Sequence, residues 1–392
     1  MNILYICPNN PFLTTSGGHL RSNLICQAIA KNNNVDIFFT ETEYFLPPKC
    51  DIPNCTIISY KDISDSNLFS MVDKLKLWLK HKIFRDYFSV FKINFLSKTL
   101  NTILNNKHYD LIMIRYFMQA IELNLKFDKR VILDLDDSPV QIFKSLKENF
   151  SRSLLKYYIK QVYFSLVILF INGYVNARIK NIRHVLLPDK KQAKLFPNGI
   201  YLPNIPNPSL SSHSCNVKTN NIMFVGKLQY RPNIEGVYHF LDCIWPKVLK
   251  NIPNAFFNIV GSQARECDKK AWQTYDNVNF IGFVDDLSNE YNNNSVAVIP
   301  VYMGAGTNIK VIEAMYMNKA MVLSSYACRG FEHLLKDGYN SMIASTDEEF
   351  SAKLIFLLKN RELNAEISKN AKESLNNEYS FENFCNIINR VI

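Results

Sequence analysis

Apolar residues along this chain fall into short runs, each followed by a stretch with apolar positions at helical spacing. In the first half the runs are Ile3–Cys7, Val35–Phe39, Thr56–Tyr60, Leu111–Arg115, Arg130–Leu135, His184–Pro188 and Gly199–Pro203. Between the first two, Leu20, Leu24, Ile25, Ala28 and Ile29 mark a helix over His19–Lys31, opened by the pair Gly17-Gly18. The segment Asn204–Asn221 is rich in Asn, Pro and Ser and reads as a linker. The pattern then restarts. Strands are predicted at Asn221–Val225, Ala255–Val260, Val278–Ile281, Val296–Pro300 and Ala320–Leu323, and helices at Ile234–Leu249, Asn308–Met317, Glu348–Asn376 and Phe381–Ile392. Strands that alternate with helices predict parallel sheets covered on both faces. The expected organisation is α/β, with domains at 1–207 and 208–380 and a last helix at 381–392.

The most informative stretch is Val296–Ser325. Its buried strand runs into Gly304-Ala305-Gly306-Thr307, and a helix follows. Unpaired N–H groups and partial positive charge make the first turn of a helix a phosphate site. Glycines let the phosphate approach the backbone. Thr307 is placed to cap the helix or to bond a phosphate oxygen, and Lys310 to add charge. Glu313, on the second turn, is placed to accept hydrogen bonds from ribose hydroxyls. The same glycines also suit a tight βαβ turn with no ligand. The chain has only 12 glycines in 392 residues, so their concentration here favours a site.

GAGTNIKVIEAMYMNKAMVLSS resembles the donor motif of GT-B glycosyltransferases of the large retaining group called family 4. That motif has two glutamates, the second on the donor ribose and the first on the donor sugar. Glu313 matches the second, and Ala305 stands where the first would fall. The resemblance extends over the second domain, through Arg231-Pro-Asn-Ile-Glu235, Ile259-Val-Gly261 and the Asp337-Gly-Tyr-Asn340 turn, and more loosely over the first. It implies two Rossmann-like domains facing a cleft, with the C-terminal helix crossing back to the N-terminal domain. It implies that Lys227 and Arg231 hold the donor diphosphate, that Tyr230 and Phe283 flank the base, and that Gly17 and Gly18 face donor phosphates or acceptor. Asp136 and Asp137 take the place of a His-Asp pair beside the reacting sugar.

Asp134, Asp136 and Asp137 follow a buried strand, where open α/β sheets place their ligands. Clustered carboxylates suit a base, a charge stabiliser or a metal, and Asp137 equally suits a helix cap. Catalytic roles are expected at Asp136, Asp137 and Glu313. Lys227 and Arg231 offset diphosphate charge, so neither a metal nor another cofactor is expected.

Leu68–Lys107 is basic and aromatic and helical in pattern, with Asp86 its only acid between Lys74 and Lys107. Such a segment suits a membrane interface or a surface helix over the sheet. The run Val162–Ile171 is too short to span a bilayer and suits a buried or membrane-dipping helix. Charge is uneven in the same direction: residues 1–210 carry 27 Lys and Arg against 16 Asp and Glu, while the rest is near neutral. Met1 leads directly into an apolar strand, and nine scattered cysteines suggest reduced thiols. The expected location is cytoplasmic, peripheral on the inner face of the cell membrane. No spaced three-glycine fingerprint follows the first strand, which disfavours a dinucleotide dehydrogenase. The expected activity is sugar transfer, with retention, from a nucleotide-diphosphate sugar to a cell-surface polysaccharide or lipid-linked glycan. The alternatives are a non-catalytic nucleotide-sugar-binding protein and a sugar-nucleotide epimerase of the same fold. Nucleic acid is not an expected partner.

Overall fold

The structure is a computed structural model that describes residues 1–40, 50–60, 69–136, 138–148, 154–211, 220–304 and 306–392. Asp137 and Ala305 therefore lie outside the described residues, as do residues 212–219 of the predicted linker and Leu68. The chain forms two compact units, Met1–Pro203 with Phe384–Ile392, and Asn204–Asn383.

The first unit holds β1 (Asn2–Cys7), α1 (Gly17–Ala30), β2 (Asn34–Phe39), β3 (Cys55–Tyr60), α2 (Met71–Phe84), α3 (Asn94–Asn106), β4 (Leu111–Arg115) and α4 (Phe117–Glu122). It continues with β5 (Val131–Asp134), α5 (Pro139–Glu148), α6 (Leu154–Ile179), β6 (His184–Leu187), α7 (Lys190–Ala193) and β7 (Gly199–Tyr201). All pairings are parallel, in the order β3-β2-β1-β4-β5-β6-β7. The second unit holds β8 (Asn221–Val225), α8 (Arg231–His239), a π-helical turn at Phe240–Ile244, α9 (Trp245–Asn251), β9 (Phe256–Val260), α10 (Glu266–Trp272) and β10 (Val278–Gly282). It continues with α11 (Leu287–Asn293), β11 (Val296–Ile299), α12 (Ile309–Tyr316), β12 (Ala320–Ser324), β13 (Met342–Ala344), α13 (Asp347–Lys359) and α14 (Arg361–Ser374). Its sheet is parallel in the order β10-β9-β8-β11-β12-β13. The last helix, α15 (Phe381–Val391), runs from the second unit into the first, where Phe384, Cys385, Ile388 and Val391 are buried.

Each sheet is doubly wound, and its order reverses at one point: between β1 and β4 in the first, between β8 and β11 in the second. The strands read as near-continuous apolar runs because helices cover both faces. Crevices at such reversals, outside the carboxyl ends of the strands, are where open α/β sheets bind ligands.

Four predicted helices differ, and the one expected over Ile234–Leu249 is divided by the π-helical turn at Phe240–Ile244 into α8 and α9. The basic aromatic segment is two helices rather than one. Arg85 and Asp86 take left-handed backbone (φ 50° and 64°) and end α2, and Phe88 then turns fully into the core against Phe84, Phe117 and Tyr174. Burying that ring outweighs continuing the helix. The predicted helix over 348–376 breaks at Asn360, whose side chain accepts from Leu363 N and caps α14. Around Val162–Ile171 the helix is 26 residues long, with Phe164, Ile171 and Val175 buried on one stripe and Val162, Leu166 and Leu169 exposed on another.

Candidate functional site

The switch point of the second unit collects most of the predicted donor residues. Gly226 and Lys227 follow β8, and Gly304, Gly306 and Thr307 follow β11 and lead into α12. Gly304 has φ +116°, a conformation that disfavours side chains, and a Cβ there would sit 3.1 Å from the Tyr230 hydroxyl. Its carbonyl accepts from the Tyr326 hydroxyl at 2.5 Å and from Arg329 Nη1 at 2.9 Å, so the turn is held from outside the motif.

The α12 N-terminus opens into this crevice. Its N-cap is Asn308, whose side chain makes no capping bond and donates instead to Ala327 O at 3.2 Å. Thr307, expected to cap the helix or to bond phosphate, has its hydroxyl taken by Asn204 Nδ2 at 2.7 Å. First-turn N–H groups without a side-chain cap suit an anion.

Lys310 and Glu313 sit three residues apart on α12, both half-buried. Burial draws the Lys310 ammonium down to about 7, with Glu313 pulling the other way. Burial pushes the Glu313 carboxyl up to about 7, and Lys310 offsets part of this. Lys310 Nζ donates to Asn233 Oδ1 at 2.7 Å and stands 4.2 Å from the Phe224 ring centroid. Asn233 Nδ2 donates to the Lys227 carbonyl at 2.9 Å, tying α8 to the loop after β8. A Cβ at Gly226 would meet Asn233 Nδ2 at 2.7 Å and Lys310 Nζ at 3.0 Å, so this packing requires glycine. Of the two cations expected for a diphosphate, Arg231 is exposed and donates to Glu235 one turn on. Lys227 has no side-chain partner among the described residues. Tyr230 and Phe283 are both exposed.

The switch point of the first unit is built on a buried ionic network. Gly17 and Gly18 form the first turn of α1, capped by Ser16, and both have helical rather than left-handed backbone. The Gly18 carbonyl accepts from Arg115 Nη1 at 2.6 Å. Asp134 is fully buried between Arg21 Nη2 at 2.7 Å and Arg115 Nε at 2.8 Å. Burial alone would push Asp134 up, but the two guanidinium groups outweigh it and hold the carboxyl below its usual range. Asp136 Oδ2 accepts from Arg115 Nη2 at 2.6 Å and lies 3.4 Å from the Tyr116 hydroxyl. The expected catalytic carboxylate is therefore already paired with a cation. Sequence reading placed the acids but missed Arg21 and Arg115, because the pairing of Arg21 with Asp134 spans 113 positions. Asn233 was missed as a site residue for the same reason, lying 77 positions from Lys310.

Residues 219–360 match the family model described as "Glycosyl transferases group 1". The match lies wholly within the second unit. Similar solved structures share the fold of the whole chain. Sucrose-phosphate synthase from Thermosynechococcus elongatus is 15% identical, with a TM-score of 0.72 over 99% of this chain and 97% of that one. WaaG, a glycosyltransferase involved in lipopolysaccharide biosynthesis, is 14% identical, with a TM-score of 0.62 over 98% and 99%. Anabaena HepE, solved with UDP and glucose, is 14% identical, with a TM-score of 0.63 over 99% and 98%. Among curated proteins, an "Uncharacterized 44.6 kDa protein in cps region" of Klebsiella pneumoniae is 24% identical over 349 residues, 82% of this chain and 87% of that protein. The chain thus has the GT-B fold, in which the doubly wound sheets are the two Rossmann-like domains.

Proposed function

We propose that this protein is a glycosyltransferase that moves a sugar from a nucleoside-diphosphate sugar to a cell-surface polysaccharide or a lipid-linked glycan precursor, with retention of configuration. The observation that carries the donor assignment is the convergence at one switch point of the uncapped α12 N-terminus, Lys227, whose side chain meets no partner among the described residues, and Glu313 one turn inside the helix. In this reading the α12 N–H groups and Lys227 take the diphosphate and stabilise the charge that develops as the glycosidic bond breaks. Glu313 accepts from the ribose hydroxyls. Lys310 supports the site from Asn233. These groups supply the neutralising charge, so turnover needs no added divalent metal at the diphosphate. Asp136, held by Arg115, serves as a fixed polar group for the sugar or acceptor rather than as a free base.

The capsule-region relative and the lipopolysaccharide enzyme support a surface-glycan acceptor. A cytoplasmic protein bound at the inner membrane face suits such an acceptor. The membrane side of the proposal rests on α6 and α2. Only 28% of the apolar window Tyr157–Ile179 is buried, and Val162, Leu166 and Leu169 face outward. On α2, Leu75 and Trp78 are exposed beside Lys74 and Lys82. An apolar face edged by lysines suits an anionic bilayer surface.

The test is release of nucleoside diphosphate from UDP-, GDP- and ADP-sugars with a surface-glycan acceptor extract, with and without Mg²⁺. One nucleotide class should support turnover without added metal. Glu313→Ala should lower kcat/KM about ten- to a hundredfold, the worth of charge-assisted hydrogen bonds. Unchanged kcat/KM in that variant would overturn the ribose assignment.

A further inference from the structure

Away from the donor residues, three potential metal ligands meet on the second unit. His239 ends α8, Cys243 lies one turn on in the π-helical segment, and Asp347 opens α13. His239 Nε2, Cys243 Sγ and a carboxylate oxygen of Asp347 all lie within 4.8 Å of one another. His239 Nε2 is 2.7 Å from Asp347 Oδ1. We propose that His239, Cys243 and Asp347 form a binding site for one thiophilic divalent cation, zinc first among them.

The spacing is close to what such an ion needs. Tetrahedral zinc with bonds of about 2.0–2.3 Å sets its ligand atoms roughly 3.3–3.8 Å apart. Small side-chain rotations bring three atoms already this near into that range. The ligand set selects the ion: a thiolate and an imidazole beside one carboxylate suit zinc and disfavour magnesium and calcium, which want oxygen. All three side chains are half-buried, which leaves a fourth position for water or an exchangeable ligand.

Two surrounding features support an ion here. Asp242 and Glu348 neighbour the ligands in sequence, and the nearby cation Lys247 is taken by Glu348 at 2.8 Å. The local charge is therefore negative without a metal. The only π-helical turn among the described residues also begins at this point, one residue after His239, and such turns concentrate at functional sites.

The site has a structural consequence. The Tyr302 ring packs edge-on against His239, with centroids 4.7 Å apart. Tyr302 lies between β11 and α12, two residues before Gly304. An ion on His239 would fix α8 to α13 and stiffen the connection that carries the glycine turn. Binding replaces the proton of the Cys243 thiol, which leaves to solvent, and requires His239 to be neutral.

The experiment is a Co²⁺ titration of the full chain after chelator treatment, followed by absorption. One equivalent should give a near-ultraviolet thiolate-to-cobalt charge-transfer band and the intense visible bands of tetrahedral cobalt, and Zn²⁺ should displace both. Cys243→Ser should abolish the charge-transfer band while metal-free melting stays as in the wild type. Asp347→Asn, which keeps the thiol, should weaken the ion by more than the roughly 10–100-fold that loss of an outer partner costs. Two results would overturn the site: no cobalt band in the wild type, or a band that persists at wild-type affinity in Cys243→Ser and so belongs to another cysteine. If Cys243→Ser does not fold, unchanged affinity in Asp347→Asn overturns it instead. None of these readouts depends on sugar transfer, so failure here and failure of the donor reading are distinguishable.

Discussion

Glu313 and Lys310 form a titrating pair at the proposed donor site. The carboxyl is pushed up from 4.5 to about 7 by burial, so the folded state holds this proton more tightly than the unfolded chain. Its contribution to stability is full below pH 4.5 and is lost as pH rises to about 7. The ammonium is drawn down from 10.5 to about 7, so its contribution is present above 10.5 and is lost as pH falls to about 7. The ligand-free protein should show a shallow minimum in melting temperature near neutral pH, and Glu313→Gln should remove the acid-side slope. An unaltered slope in that variant would show that Glu313 is not desolvated. The buried Asp134 gives a sharper prediction. Asp134→Asn leaves Arg21 and Arg115 without their central anion and should cost about 3–5 kcal/mol in urea unfolding. Stability within about 0.5 kcal/mol of wild type would mean that the two arginines find other partners. At this scale the sequence is readable where function is local. Gly304, Lys310 and Glu313 fall within ten positions, the first in the turn before α12 and the other two one turn apart on the helix. The Arg21–Asp134–Arg115 network and the Asn233–Lys310 bond join distant positions, and nothing in either segment announces its partner.

Element boundaries follow local chemistry where it is strong. The predicted strands agree with their apolar runs to within a residue or two, because a strand covered on both faces must be apolar throughout, while the three-residue β13 is too short to show as a run. The helix breaks were not legible. Phe88 ends the basic helix by entering a core made of residues far along the chain, and Asn360 divides another with neither Gly nor Pro nearby. The α12 terminus shows how an element prepares chemistry. Asn308 and Thr307 both direct their side chains elsewhere, so the first turn lacks a side-chain cap. Gly304→Val should disturb this region most, since it forces a branched side chain into φ +116° and against Tyr230. Nucleotide affinity should fall at least tenfold with the melting temperature lowered by only a few degrees. Unchanged affinity would separate the turn from the ligand.

Across the whole molecule, two doubly wound sheets each present a switch point. The second has the α12 N–H groups without a side-chain cap and Lys227, which has no side-chain partner among the described residues, and the first has a neutralised ionic network. Basic charge concentrates in residues 1–210 at a net of +11, in the part of the chain that also carries the outward apolar stripe of α6. Binding to vesicles rich in anionic phospholipid should therefore exceed binding to zwitterionic vesicles and weaken with salt. The double change Leu166→Asp with Leu169→Asp should reduce it about tenfold or more, given roughly 1.5–3 kcal/mol for each buried leucine, with melting unchanged. Equal binding to both vesicle types would remove the membrane surface from the account. The central claim is that the β8–β11 switch point holds a nucleoside diphosphate. Its most direct test is calorimetric titration of wild-type and Glu313→Ala protein with UDP-, GDP- and ADP-sugars near pH 7. One saturable site for a single nucleotide class is expected, with affinity lowered at least tenfold in the variant. Equal affinity in the two proteins, or no binding of any of the three by the wild type, would contradict it.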